Sequence, residues 1–172
     1  YFECIYILVL IMNTVKILNT TISETSLVEV SNILNTENSL KVAICNTNTV
    51  VRSYRDDQLS KIINSFDIKT PDGFPIAKSS SILYKNSQSR VDGYNVLLTT
   101  INNGLTKNTS HYFYGSNDLV LKKLIEKLKK DFPTINIVGS SSPPVGSYEE
   151  LVREEHVKDI IDAEPDIVWI SL

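Results

Sequence analysis

The chain is 172 residues long, 42% hydrophobic and 22% charged, with a formal net charge of −3. That balance suits one globular domain with a real core, and it excludes wholesale disorder, collagen-like repeats and a strongly basic nucleic-acid binder. Two cysteines, Cys4 and Cys45, are too few for a disulfide framework, and His111 and His156 stand in no zinc-like spacing. A reduced, intracellular protein with no metal is therefore expected.

In chain order, the first twelve residues, YFECIYILVLIM, are apolar but too short to span a bilayer. They carry neither a basic flank nor a small-residue cleavage site. Met12 is thus expected as the natural start, with residues 1–12 an apolar leader and 13–172 the folded domain. LKVAIC (Leu40–Cys45) reads as a strand ending in the polar turn NTNT, and Val51, Leu59, Ile62 and Ile63 are loosely spaced for a helix over Val50–Asn64. FDIKT (Phe66–Thr70) is a further strand, stopped by Pro71, Asp72 and Gly73.

HYFYG (His111–Gly115) is predicted as a strand leading into a helix capped by Ser116 or Asn117. In that helix Leu121, Leu124, Ile125, Leu128 and Phe132 form one apolar stripe, with lysines opposite and toward the C-terminus, where they complement the dipole. Those lysines are either a solvated face or a surface for anionic lipid. Pro133 ends the helix, Thr134–Gly139 is the next strand, Tyr148–Ala163 a helix and Asp166–Leu172 a buried strand. Strands alternating with helices predict an α/β domain with a mostly parallel sheet and helices on both faces. Right-handed crossovers then put Asn46, Asp72, Gly115 and Gly139 just past strand ends, on the rim where open α/β sheets bind ligands.

Asp72 on that rim could act as a general base toward a hydroxyl, or Pro-Asp-Gly could be turn chemistry alone. Asn46 with Thr47 and Asn48 could read sugar hydroxyls or simply cap a helix. Arg90, one of few arginines, offers a fork for a diphosphate or carboxylate, or a plain surface charge. Gly115 and Gly139, each before a serine, could let backbone amides approach a phosphate. Neither GxGxxG nor GxxxxGK[ST] occurs, which argues against a dinucleotide-binding module or a P-loop enzyme.

Taken together, ICNTNTVV (Ile44–Val51), TPDGFPIA (Thr70–Ala77), RVDGYNVLL (Arg90–Leu98), HYFYGS (His111–Ser116), DFPTINIVGSSSPP (Asp131–Pro144) and PDIVWISL (Pro165–Leu172) resemble the WecG/TagA/CpsF glycosyltransferase family. The resemblance implies a Rossmann-like fold and an inverting transferase without a required metal or resident cofactor. It would move an N-acetylmannosamine-type sugar from a UDP donor, as co-substrate, to polyprenyl-diphosphate-linked N-acetylglucosamine for a surface polymer, at the inner face of the cytoplasmic membrane. Asp72 maps onto the family's base. Asn46, Thr47, Gly73, Arg90 and Asp92 are the implied substrate-binding residues, and Gly115, Ser116, Gly139 and Ser140 the implied nucleotide-sugar contacts. Alternatives are another UDP-sugar donor (glucose, galactose or a ManNAc uronate) or a non-catalytic remnant. Two departures stand out: Ile44 where the family often has threonine, and an end at Leu172, before the family's Gly-x-Pro-x-Gln-Glu motif and basic, membrane-associating tail.

Overall fold

A computed structural model describes residues 12–37, 39–143, 146 and 154–171, the side chains of 154–156 excepted. Residues 1–11 of the apolar leader and the first part of the helix expected from Tyr148 lie outside the described residues, as does Leu172. The chain divides into two compact units, residues 1–100 and 101–172, each an α/β structure with parallel strand pairing.

The first unit opens with an antiparallel hairpin of β1 (Thr14–Ile17) and β2 (Thr20–Ser23). Val15 and Ile17 point inward and Thr14 and Lys16 outward, the period-two pattern of a half-buried strand. The helix α1 (Leu27–Leu34) starts at a capping box, in which Ser26 accepts from the Glu29 amide and Glu29 reaches back to the Ser26 amide.

Next come β3 (Val42–Cys45), α2 (Thr47–Arg55), α3 (Asp57–Asn64) and β4 (Ile68–Pro71). The two strands pair in parallel, from Val42 opposite Ile68 to Cys45 opposite Pro71. The single helix expected over Val50–Asn64 is two. Asp56 takes an extended backbone (φ −135°, ψ 107°), and its side chain accepts from the Gln58 and Leu59 amides, so it ends one helix by capping another. Two more helices, α4 (Phe74–Tyr84) and α5 (Gly93–Gly104), follow; α5 begins in the first unit and ends in the second. Val15, Ile17, Ile22, Cys45, Val50 and Ile76 form the core between the hairpin, β3 and the helices.

In the second unit three parallel strands lie in the order β6 (Asn136–Ser141), β5 (Ser110–Gly115), β7 (Ile167–Ser171). The central β5 is buried along its whole length, as a strand flanked on both edges requires. Between β5 and β6 runs α6 (Asp118–Asp131), capped by Asn117 as expected, with Leu121 and Leu128 buried and Lys129 and Lys130 in its last turn. The last helix, α7 (Glu154–Ala163), leads to β7.

Two strands differ from expectation in their bounds: β4 runs Ile68–Pro71 rather than Phe66–Thr70, and β6 shifts at both ends. The strand expected to stop at Gly139 continues through Ser140 and Ser141, opposite Phe113 and Tyr114. It also starts two residues late, because the Ile135 amide is taken by the Phe132 carbonyl in a turn around Pro133. Gly139 and Ser140 are therefore inside β6 rather than past its end.

Candidate functional site

In the first unit the carboxyl ends of β3 and β4 gather Asn46, Thr47, Asp72, Gly73, Arg90 and Asp92. The backbone makes this arrangement. The Asp72 amide donates to the Cys45 carbonyl (3.1 Å), prolonging the pairing of β3 and β4 by one bond. The Val91 amide donates to the Pro71 carbonyl (3.0 Å), which lays the segment Arg90–Val91–Asp92 beside the end of β4. Val91 is fully buried and anchors it.

Arg90 lies between the two carboxylates. Its Nε is 3.5 Å from Asp72 Oδ1 and its Nη2 is 3.5 Å from Asp92 Oδ2. The arginine side chain is 57% exposed while those of Asp72 and Asp92 are 20% and 11% exposed, so the guanidinium stays open to a ligand while its position is held from below. Asp92 is fixed in turn by Asn95, whose amide N–H donates to Oδ1 (3.1 Å) and whose side-chain amide donates to Oδ2 (2.8 Å). Asp92 is thereby the cap of α5. Burial alone would raise its pKa, but the Asn95 hydrogen bonds and the Arg90 charge outweigh that and hold it below the ordinary carboxylate range.

Gly73 follows Asp72 at φ 82°, a conformation that a side chain disfavours, and so turns the chain sharply from β4 into α4. Asn46 caps α2, its Oδ1 accepting from the Thr49 amide (3.0 Å) and hydroxyl (3.3 Å). The capping use of Asn46 is thus real, and the residue is also exposed at the rim, as is Thr47 in the first turn of α2. Ile44, where the family often has threonine, packs toward the start of α5; a Cβ placed on Gly93 would lie 3.5 Å from its Cγ1. An apolar contact there takes the place of a hydroxyl.

Beneath the cluster are two buried ionisable groups that sequence reasoning missed. Burial pushes the Cys45 thiol up to about 12, with nearby Lys69 opposing and Asp72 reinforcing the rise. Lys69, itself buried, has its pKa lowered by burial, and its Nζ donates to the Phe66 carbonyl. Asn95 was missed as well, although Asp92-Gly-Tyr-Asn95 carries the spacing of a cap.

In the second unit Gly115 ends β5 at φ 135°, and a Cβ there would fall 2.0 Å from the Ser171 carbonyl oxygen. The Ser116 amide donates to that oxygen (2.9 Å), and the Ser116 carbonyl accepts from Ser142 Oγ (2.7 Å). Gly139 is packed under Tyr112, whose ring would lie 2.4 Å from a Cβ. The nearest role of both glycines is thus close packing. Ser140 is exposed and lines a shallow groove of about 360 Å³ with Leu121, Lys122, Ile125 and Lys129 of α6. Gly115 with Ser116 lies at the strand end, whereas Gly139 with Ser140 lies further back, opposite Tyr112 and Phe113. Among the described residues no group of three or more His, Cys, Asp or Glu could hold a metal ion.

Parallel strands carrying a carboxylate, an arginine and a cap-forming asparagine at their carboxyl ends define an α/β protein with a Rossmann-like polar rim. A family model described as the Glycosyl transferase WecG/TagA/CpsF family matches residues 14–172, and the chain belongs to that family. It is similar to two proteins named N-acetylglucosaminyldiphosphoundecaprenol N-acetyl-beta-D-mannosaminyltransferase. That of Bacillus spizizenii is 31% identical over 111 residues, 64% of this chain and 41% of the relative. That of Bacillus subtilis is 25% identical over 131 residues, 76% of this chain and 49% of the relative. The matched part of the chain thus spans about half the length of these curated relatives or less.

Proposed function

We propose that the chain carries the catalytic rim of an inverting transferase that moves an N-acetylmannosamine-type sugar from a UDP donor to a polyprenyl-diphosphate-linked N-acetylglucosamine. The observation that supports this most directly is Arg90 held between Asp72 and Asp92 at the ends of β3 and β4, in a chain of this family. Asp72 takes the proton from the acceptor hydroxyl as that oxygen bonds to the anomeric carbon of the donor. The bond from that carbon to the diphosphate breaks, its electron pair leaves with UDP, and attack from the opposite face inverts the centre. A base placed in this way contributes roughly 10²–10⁴-fold. Arg90 supplies positive charge where negative charge develops, and Asn46, Thr47 and Gly73 offer groups to sugar hydroxyls.

On this reading the UDP-sugar is a co-substrate and no resident cofactor takes part. Gly115, Ser116, Gly139 and Ser140 are the proposed nucleotide-sugar contacts. Among the described residues no helix is long and apolar enough to cross a membrane; the lipid-linked acceptor would bring the protein to the inner face of the cytoplasmic membrane.

The test is transfer from UDP-N-acetylmannosamine to a water-soluble, short-chain diphosphate-linked N-acetylglucosamine, with UDP-glucose and UDP-galactose as competing donors. Asp72→Asn should lower kcat by roughly 10²–10⁴-fold without changing the unfolding midpoint. Full activity in that variant overturns Asp72 as the base. Absence of transfer from every donor, together with no protection from thermal unfolding by UDP, overturns the transferase reading.

A further inference from the structure

The helix that follows Asp72 is apolar on two sides. On one, Ile76, Ala77 and Ser80 of α4 are buried, and the Tyr84 hydroxyl donates to the Lys16 carbonyl (2.7 Å) and accepts from the Lys16 amide (3.1 Å), fastening the helix to β1. On the other, Phe74 is 72% exposed and Ile82 64%, and Leu83, further round the helix, is 65% exposed. Spacing of four and eight residues puts Phe74, Lys78 and Ile82 on one outward stripe, and Lys85 follows just past the helix as its left-handed C-cap; both lysines are exposed. A surface helix ordinarily presents polar residues to water on its free face. This one presents large apolar side chains interleaved with cations.

The charge pattern is equally uneven. No acidic residue occurs between Asp72 and Asp92, whereas Lys78 and Lys85 do, in a chain whose net charge is −3; Arg90 is paired with Asp72 and Asp92, and the Glu24 carboxylate meets the segment beyond the helix, at Asn86. Apolar residues among lysines, without carboxylates, match the chemistry of an anionic bilayer surface. There apolar side chains enter the boundary of the acyl region and lysine stems snorkel to the headgroups. A second copy of this acidic chain would offer carboxylates to the lysines but no acyl layer for Phe74 and Ile82 to enter, which a bilayer supplies together with the charge.

We infer that the outward face of α4 is a membrane-docking surface that seats the rim of β3 and β4 against an anionic lipid bilayer. The face begins two residues after Asp72, so docking there brings the proposed base to the depth at which a lipid-linked diphosphate presents its sugar. This last point rests on the transferase reading; the docking surface itself does not.

The experiment is co-sedimentation of the full chain with mixed phosphatidylglycerol–phosphatidylcholine vesicles and with pure phosphatidylcholine vesicles. The wild type should bind the mixed vesicles and be released by salt, as screening of a charge-assisted contact requires. Lys78→Glu with Lys85→Glu should lower partitioning by at least about tenfold, given roughly fivefold for each cation lost near an anionic surface. Ile82→Ser should lower it several-fold, with circular dichroism unchanged in both variants. Binding by the variants equal to wild type would place the contact elsewhere in the chain and overturn the inference. So would a wild-type dimer that Ile82→Ser converts to monomer without any change in vesicle binding, since a second copy would then cover the face. If the transferase reading also holds, the variants keep transfer to the water-soluble acceptor and lose transfer to one embedded in vesicles. If that reading fails, transfer is absent throughout while the vesicle result stands.

Discussion

Acidification should weaken the second unit through one buried side chain. His111 is 1% exposed in the central strand, and its Nδ1 accepts a hydrogen bond from Trp169 Nε1 (3.3 Å). Burial pushes the imidazole down from 6.5 to about 4, with the Asp166 carboxylate opposing the shift only in part. Above pH 6.5 the ring is neutral in both folded and unfolded chains, and stability is at its full value. As pH falls from there toward 4, the unfolded chain takes up a proton that the folded chain refuses. Stability then drops by up to about 1.4 kcal/mol per pH unit, and by about 3 kcal/mol in all, levelling below the folded value. A proton on Nδ1 would also set a donor against the indole N–H. The chain's single tryptophan is Trp169 itself, so its fluorescence reports the site. Urea unfolding should show a loss of about 2 kcal/mol between pH 6.5 and 4.5. His111→Asn, which keeps an acceptor but cannot titrate, should be flat over that range. Asp92 and Asp166, both held below 3.8, act in a different window: their stabilisation is complete above 3.8 and is lost only below it. A wild-type profile that is flat, or a variant that keeps the wild-type slope, refutes the reasoning.

Other consequences are testable by the same means. Gly115→Ala places a Cβ 2.0 Å from the Ser171 carbonyl at φ 135° and should cost upward of about 3 kcal/mol in urea unfolding. Gly73→Ala meets nothing closer than the Pro75 ring at 3.7 Å, so only the left-handed backbone counts and the loss should be about 1–2 kcal/mol. Asp92→Ala removes the cap of α5 and should destabilise by about 1–2 kcal/mol, whereas Asp92→Asn, still a good cap, should lose much less. The Cys45 thiol, pushed up to about 12 by burial, should resist iodoacetamide at neutral pH and react once urea unfolds the chain, as peptide mapping will show.

The sequence was most legible where hydrophobic period and punctuation agreed. The stripe Leu121–Phe132 between Asn117 and Pro133 appears as α6 with its cap in place, and the aromatic-rich β5 appears as a buried central strand. The hairpin β1–β2 was missed because β1 offers only two inward apolar residues, Val15 and Ile17, and β2 buries Thr20 and Ser23, which carry little hydropathy, beside Ile22. The helices α4 and α5 were missed for a related reason: α4 is apolar on both faces, so no single stripe marks it, and each begins at a glycine turn that reads as loop. At the site, residue types and strand-end placement pointed to Asn46, Asp72 and Arg90. That Asp92 shares the guanidinium with Asp72 depends on Val91 pairing with Pro71, a contact across twenty positions that no local pattern carries, whereas the Asn95 hold on Asp92 is a local cap.

That geometry also decides which substitutions can speak about function. Asn46 and Asp92 each cap a helix through the same oxygens that face the rim. Loss of activity on changing either would mix a folding defect with a chemical one. Asp72 differs: its backbone N–H holds the turn by donating to the Cys45 carbonyl, and its side chain touches only Arg90 among the described ion pairs. Replacing the Asp72 carboxylate with a carboxamide therefore leaves the turn's own hydrogen bond intact and alters the charge opposite Arg90. Arg90 is likewise held through its neighbour Val91 rather than through its own side chain, so Arg90→Lys should keep the segment in place while losing the two-point contact to Asp72 and Asp92 that a guanidinium makes and an ammonium does not. A strand end that is fixed by main-chain bonds and finished by side chains with no structural duty is where a fold can change its chemistry without losing its shape, and in this chain that description fits Asp72 and Arg90 better than any of the glycines beside them.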